Sequence, residues 1–316
     1  MFMHIVDICE VAYDRDCWRA YLGAFAADAP RYLSVFARRL CDQAGADPGR
    51  YRETVERDPF SAVDLLVEPG RLGLDVGEHV ERLSADGVTC QVVHGGMWKI
   101  PGGTVNDRVA ALVDGRTELR FWAGISLKDP SAAEREAVRS HRELGATGFS
   151  IIPFLDEADV LSEAFTPVFA YAERERLPVW IHCGQNFATA RPVDSCSWWQ
   201  LDRLAGRHPA LRIVAGHGGW PWLGEMAAVA QRHQHVYLDS STHRASAMRT
   251  PGYGWEPVLA RVEGPLRRKV LFGSTTWVSG RSAGELAGEF AGLGLTDTAL
   301  QAWLSGNASR LLEAGS

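Results

Sequence analysis

Eight short apolar runs, rich in β-branched and aromatic residues, recur along the chain with helical patterns between most of them. The runs are Met3–Cys9, Val88–His94, Leu119–Ser126, Gly148–Pro153, Pro178–Cys183, Arg212–Gly216, His235–Asp239 and Lys269–Gly273. They are continuous rather than alternating in hydropathy, as in parallel strands covered on both faces. Ser131-Ala-Ala-Glu134 reads as a capping box opening a helix that ends near Gly145. Further helices are expected over Ala164–Arg176, Ser197–Arg207, Trp222–His233 and Ala283–Gly292, and Thr298–Ala314 closes the chain. Such alternation predicts an α/β fold, either an eight-stranded barrel or an open doubly wound sheet. Eight strands, with no glycine-rich dinucleotide fingerprint after the first, favour a (β/α)8 TIM barrel. The 316 residues fit one such domain, 1–316, with an insertion.

The insertion follows the first strand. Almost eighty residues precede Val88, mostly helical in pattern and carrying Trp18, Tyr21, Phe25, Tyr32, Phe36 and Tyr51. A connection from strand to helix leaves the C-terminal face of a barrel, where active sites are built, so residues 12–80 are expected to form a helical cap over or beside the pocket. A net charge of −6 without a basic run argues against nucleic acid or an anionic membrane as partner. No apolar stretch reaches the roughly 18 residues of a membrane span, and Met1–Val11 lacks the features of a signal peptide. The six cysteines form no CxxC pair, which reads as reduced thiols in a cytoplasmic protein.

Side chains at strand C-terminal ends face the mouth of a barrel. The fifth strand ends in His182, the sixth runs into His217, the first ends in Asp7-Ile-Cys-Glu-Val11, and the eighth ends in Gly273-Ser-Thr-Thr-Trp277. A lone histidine is commonly structural. Two on adjacent strands, each followed closely by glycine, are expected to face one point with room for a ligand.

At these residues the chain resembles the second amidohydrolase family of barrel enzymes, including the aminocarboxymuconate-semialdehyde decarboxylase group. Pro178-Val-Trp-Ile-His-Cys-Gly184 and Ala215-Gly-His-Gly-Gly219 are similar to the family's fifth- and sixth-strand histidine motifs. Ala85-Asp-Gly-Val88, Leu271-Phe-Gly-Ser274 and Gly306-Asn-Ala-Ser-Arg-Leu-Leu312 match its second-strand turn, the lead-in to its catalytic aspartate and its closing helix. The resemblance implies a homodimer acting on a small-molecule substrate, with His217 as a proton-transfer group. It also implies metal ligands at positions that are altered here. The first-strand His-x-His falls on Cys9 and Val11, the eighth-strand aspartate on Thr275, and only His182 is retained beside Asp7 and His217.

Two readings of the metal follow. Cys9, His182 and His217, with Asp7 or Glu10 as a fourth, make a remodelled zinc site; alternatively Cys9 is a small buried residue and no cofactor is required. In a regular strand Glu10 is expected to point away from the face of Cys9. The second reading leaves acid–base chemistry to His182 and His217, with Thr275 giving or relaying a hydrogen bond. A Cys9 nucleophile would need a lowered pKa, for which the sequence offers no cause.

Eight of the eleven tryptophans (Trp18, Trp98, Trp198, Trp199, Trp220, Trp222, Trp255, Trp277) fall on connections leaving the active face, so a flat or aromatic substrate is expected. Trp98, Trp277 and His94 are candidates to contact it; His94 reads equally as a satisfied buried histidine. Lys99, Arg191, His243 and Arg244 are charged candidates on the same face. By resemblance, Arg244 holds a substrate carboxylate; alternatively it is a solvated surface arginine. The expected function is hydrolysis, decarboxylation, or the reverse condensation or cyclisation of a small aromatic molecule bearing a carboxylate or carbonyl. The rivals are a zinc-dependent hydrolase or decarboxylase and an inactive barrel that binds a ligand.

Overall fold

The computed structural model describes residues 4–313. Met3 of the first expected strand and Ala314 of the closing helix therefore lie outside the described residues. Eight parallel strands form one sheet in sequential order: β1 (Ile5–Glu10), β2 (Val88–His94), β3 (Leu119–Gly124), β4 (Gly148–Ile151), β5 (Val179–His182), β6 (Ile213–Gly216), β7 (Val236–Asp239) and β8 (Val270–Leu271). The sheet curls back on itself, for Ile8 N donates to Phe272 O at 3.0 Å and Thr275 N to Cys9 O at 2.9 Å, joining the first strand to the last. Seven of the eight strands fall within their expected runs, and β1 extends one residue beyond its own, to Glu10. The sequential parallel order makes this a barrel, not a doubly wound sheet, whose strand order would reverse.

The barrel interior is filled by Val6, Ile8, Cys9, Val92, Trp122, Trp180, Val214 and Leu271, which pack on Ala308 and Leu311 of the closing helix. The large indoles fit because glycine stands opposite them. A Cβ on Gly216 would meet the Trp180 ring at 2.5 Å.

Between β1 and β2 lie six helices, beginning with α1 (Arg15–Asp28) and ending with a helix over Val76–Ala85 that packs on β2 as a barrel helix does. α1 is capped by Asp14, which accepts from Cys17 N, and buries Cys17, Trp18, Tyr21, Leu22, Phe25 and Ala26. The helix over Pro130–Arg142 is not opened by Ser131 as the sequence pattern suggested. Asp129 caps it, accepting from Ser131 N and Ala132 N, and Pro130 takes the first turn, where its missing N–H is no loss. The expected closing helix is interrupted by a π-turn over Ala302–Gly306. No helix among the described residues is long and apolar enough to cross a membrane, and all six cysteines are free.

Candidate active site

A cavity of about 310 Å³ opens at the C-terminal ends of the strands, under α1 and its neighbours. The pairing of His182 with Gly216 across β5 and β6 sets His217 one residue beyond its neighbour. The two imidazoles meet edge to face, centroids 5.1 Å apart at 81°, and His217 also stands on Trp180 at 5.3 Å. The nearby glycines serve a different purpose from the expected one. A Cβ on Gly184, at φ 92°, would lie 2.2 Å from Trp220 O, so this glycine lets the two histidine loops touch instead of making room for a ligand.

His217 is held by a chain of hydrogen bonds that the strand-end reading missed. Asp239, the last residue of β7, is fully buried. Its Oδ2 accepts from Trp180 Nε1 at 2.9 Å and His217 N at 3.2 Å, and its Oδ1 accepts from Ser241 N at 2.8 Å. Ser241 Oγ donates to the same Oδ2 and lies 2.7 Å from His217 Nδ1. A hydroxyl has one proton, and here Asp239 takes it, so His217 must carry its own proton on Nδ1. The Nε2 lone pair, which no group among the described residues satisfies, is left for the cavity. The signal was present, since Asp239 ends a strand like the other site residues.

The backbone is strained at the same place. Five non-glycine residues among those described have positive φ; three of them, His217 (55°), Thr242 (67°) and Thr275 (44°), line the cavity. Such outliers cost about 1–3 kcal/mol each and persist where the surroundings enforce them.

The histidines of the cavity are uncharged at neutral pH because they are buried. Burial pushes His94, His217 and His243 down to about 4, and His182 well below its ordinary value. His94 donates from Nε2 to Ile8 O at 2.9 Å and stacks on Trp122, so it is both a wall residue and a satisfied buried histidine. His243 is fixed between Tyr253 Oη at 3.0 Å and His217 O at 3.2 Å. The ring of His182 hydrogen-bonds no other side chain among the described residues.

These histidines make the fold sensitive to acid. Between about pH 4 and 6.5 the unfolded chain protonates them while the folded chain does not, so their contribution is present above 6.5 and lost as pH falls. Asp7, raised to about 7 by burial and then by Glu10, opposes this by holding a proton in the folded state over the same window. Glu10, also raised by burial, opposes it in the same direction as Asp7, but the four lowered histidines outweigh the two carboxyls. Urea unfolding followed at neutral pH and near pH 5 should show a loss on the order of several kcal/mol at the lower pH; equal midpoints would contradict the neutral imidazoles.

The corner between β1 and β8 departs from expectation. A register irregularity between Asp7 and Glu10 breaks strand alternation. Asp7 turns away from the cavity, accepting from Ser274 N (2.8 Å), Ser274 Oγ (2.6 Å) and Gln91 Nε2 (2.8 Å). Glu10, expected to point away, instead reaches the cavity wall, with its Oε2 2.9 Å from Ser274 Oγ and accepting from Thr276 N at 2.8 Å. Thr275 Oγ1 donates to Cys9 O at 3.3 Å and lies 3.4 Å from Cys9 Sγ. Its proton is therefore directed away from the cavity, and its oxygen is left to accept. Burial pushes the Cys9 thiol well above its ordinary value, which disfavours a thiolate nucleophile.

The donor set does not fit a catalytic metal. Val11 has no donor atom, the Thr275 hydroxyl and Cys9 thiol are engaged with each other, and Asp7 is turned outward. Among the described residues no group of three His, Cys, Asp or Glu is placed to hold an ion.

Of the expected substrate contacts, Trp98, Trp277 and His94 line the cavity, but Lys99 and Arg244 do not. Lys99 sits exposed on a two-residue strand paired with Gly103–Thr104. Arg244 is held by the carboxylate of Glu289, and Arg191 by Glu157 at 3.2 Å. Trp18 backs Trp277 edge-on at 6.4 Å, Trp255 stacks on Trp303 in the core, and Trp198 and Trp199 are partly exposed. Tyrosine and phenylalanine supply much of the aromatic wall instead, including Tyr21, Phe25, Tyr32 and Phe36 before β2 and Phe187 after β5.

The model of the family described as Amidohydrolase matches residues 4–314. The chain belongs to the amidohydrolase family. This amidohydrolase-family enzyme is similar in fold to an uncharacterized TIM-barrel protein from Bordetella bronchiseptica, at 21% identity and TM-score 0.70 with 99% of each chain covered. It is also similar to 5-carboxyvanillate decarboxylase from Sphingomonas paucimobilis, at 18% identity and TM-score 0.63, covering 98% of this chain and 99% of that one. A third is a dihydroxybenzoic acid decarboxylase from Polaromonas sp. with bound manganese, at 14% identity and TM-score 0.62, covering 99% and 98%. No curated protein sequence matches it.

Proposed function

We propose that this amidohydrolase-family enzyme acts on a small aromatic molecule at a carbonyl or carboxyl group, by proton transfer through His217 and without a catalytic metal. The observation that carries the reading is the Asp239–Ser241–His217 chain, which presents an unprotonated Nε2 to an aromatic cavity beside a second neutral histidine. Accepting a proton at Nε2 creates an imidazolium whose Nδ1–H is already directed through Ser241 to a carboxyl group, the support such a base needs. His182, with no side-chain partner, is free to hydrogen-bond the substrate's carbonyl oxygen. Thr275 offers an acceptor lone pair on the opposite side.

The solved structures named as decarboxylases of hydroxylated benzoates support an aromatic substrate and a bond to a ring carbon as the one made or broken. With this donor set the same proton transfer serves cleavage of a C–C or C–N bond or its reverse. Without a Lewis acid the substrate must already carry an electron sink, such as a conjugated carbonyl.

A panel of aromatic acids, ketones and amides incubated in deuterated buffer with excess chelator tests the reading. Turnover, or deuterium exchange at carbon next to the carbonyl, should survive chelation, and elemental analysis of protein purified without added metal should give well under one equivalent. Near-stoichiometric zinc or manganese, with activity lost on chelation, would refute it.

A further inference from the structure

Among the described residues the cavity wall contains no lysine or arginine, and Glu10 is its only carboxyl group. The cations that the sequence offered are committed elsewhere, Arg244 to Glu289 and Arg191 to Glu157, while Lys99 faces solvent. Apart from Glu10, the polar residues lining the cavity are neutral hydrogen-bonding partners, among them His182, His217, Gln185, Thr242 and Thr275. The remaining surface is largely aromatic, and an aromatic face presents negative charge density. Burial keeps the cavity histidines unprotonated, so they supply no positive charge at neutral pH.

An anion entering such a space gives up its hydration and gains no counter-charge, and Glu10 adds repulsion if ionised. An uncharged ring compound keeps its apolar contacts and finds hydrogen-bond partners for one or two oxygens. We propose that the cavity selects an uncharged aromatic or polyunsaturated carbonyl compound, such as an aryl ketone, aldehyde, ester or amide with phenolic hydroxyls, and rejects ring carboxylates. This rests on the reading that the cavity is the reactive site. It sets the enzyme apart in substrate charge from the structurally similar decarboxylases, whose names specify benzoates.

The probes are a hydroxynaphthoic acid, its primary amide and its methyl ketone, which share one skeleton and differ at the group in question. Calorimetric titration at neutral pH should show the amide and the ketone binding at least about tenfold more tightly than the acid. The amide copies the shape of the carboxylate, so its preference over the acid isolates charge. An acid that binds as well as its amide would overturn the proposal, and so would failure of all three to bind. The same titrations on His217→Asn need no turnover. If that variant keeps full activity, the assigned chemistry fails while the ligand preference stands. If the acid is preferred although turnover depends on His217, only the preference fails.

Discussion

Replacing His217 with asparagine should lower kcat by about 10³-fold, within the usual range for loss of a general acid–base group. The affinity for a non-reacting ligand should change by no more than about threefold. Asparagine suits the position for two reasons. His217 sits at φ 55°, a region that asparagine tolerates better than most residues, so the loop geometry survives. The asparagine amide can also donate to Ser241 Oγ as Nδ1–H does, keeping the buried network satisfied while removing the Nε2 lone pair. A split between kcat and binding therefore reports on the lost lone pair, not on a collapsed pocket. Unchanged turnover would place the proton transfer on another group.

Replacing Asp239 with alanine should be the most destabilising change near the site, costing on the order of 3–5 kcal/mol. Four donors converge on this carboxyl group: Trp180 Nε1, His217 N, Ser241 N and Ser241 Oγ. With Asp239 and Ser241 fully buried, water cannot readily replace the lost acceptor. Trp180 is also one of the two indoles filling the barrel interior, so losing its partner weakens the packing of the floor. Asp239→Asn keeps one acceptor oxygen but sets an NH₂ against N–H donors, and should cost less, about 1–3 kcal/mol. Urea unfolding of the two variants gives the comparison; a loss below about 1 kcal/mol for the alanine variant would mean that the network is not what holds this corner.

The barrel was legible because its strands are buried on both faces, and runs such as Val88–His94 and Pro178–Cys183 have no other use for so many consecutive apolar residues. The Lys99–Thr104 hairpin was not legible, since two-residue strands leave no period. In the site, His182 and His217 could be read from strand ends alone. Glu10 could not, because its direction depends on an irregularity in β1 that alternation does not reveal. Arg244 illustrates the limit of reading a cation from position. Its charge is satisfied by Glu289, 45 residues further on, and no local pattern forecasts that pairing. The aromatic wall was placed on the right face but assigned too heavily to tryptophan.

One consequence concerns how this enzyme can change over generations. Tyr21 and Phe25 of α1 are almost wholly buried core residues and, at once, part of the cavity wall. A substitution there that reshapes the pocket for a new substrate also opens a void in the core, at about 3–5 kcal/mol for an aromatic-to-alanine change. New specificities therefore cannot accumulate freely on this helix. They require either a prior reserve of stability or compensating mutations elsewhere, so that lineages diverging in substrate should first diverge in robustness. Phe187, on the loop after β5 and only half-buried, lies outside that constraint and is the cheaper place for selection to begin.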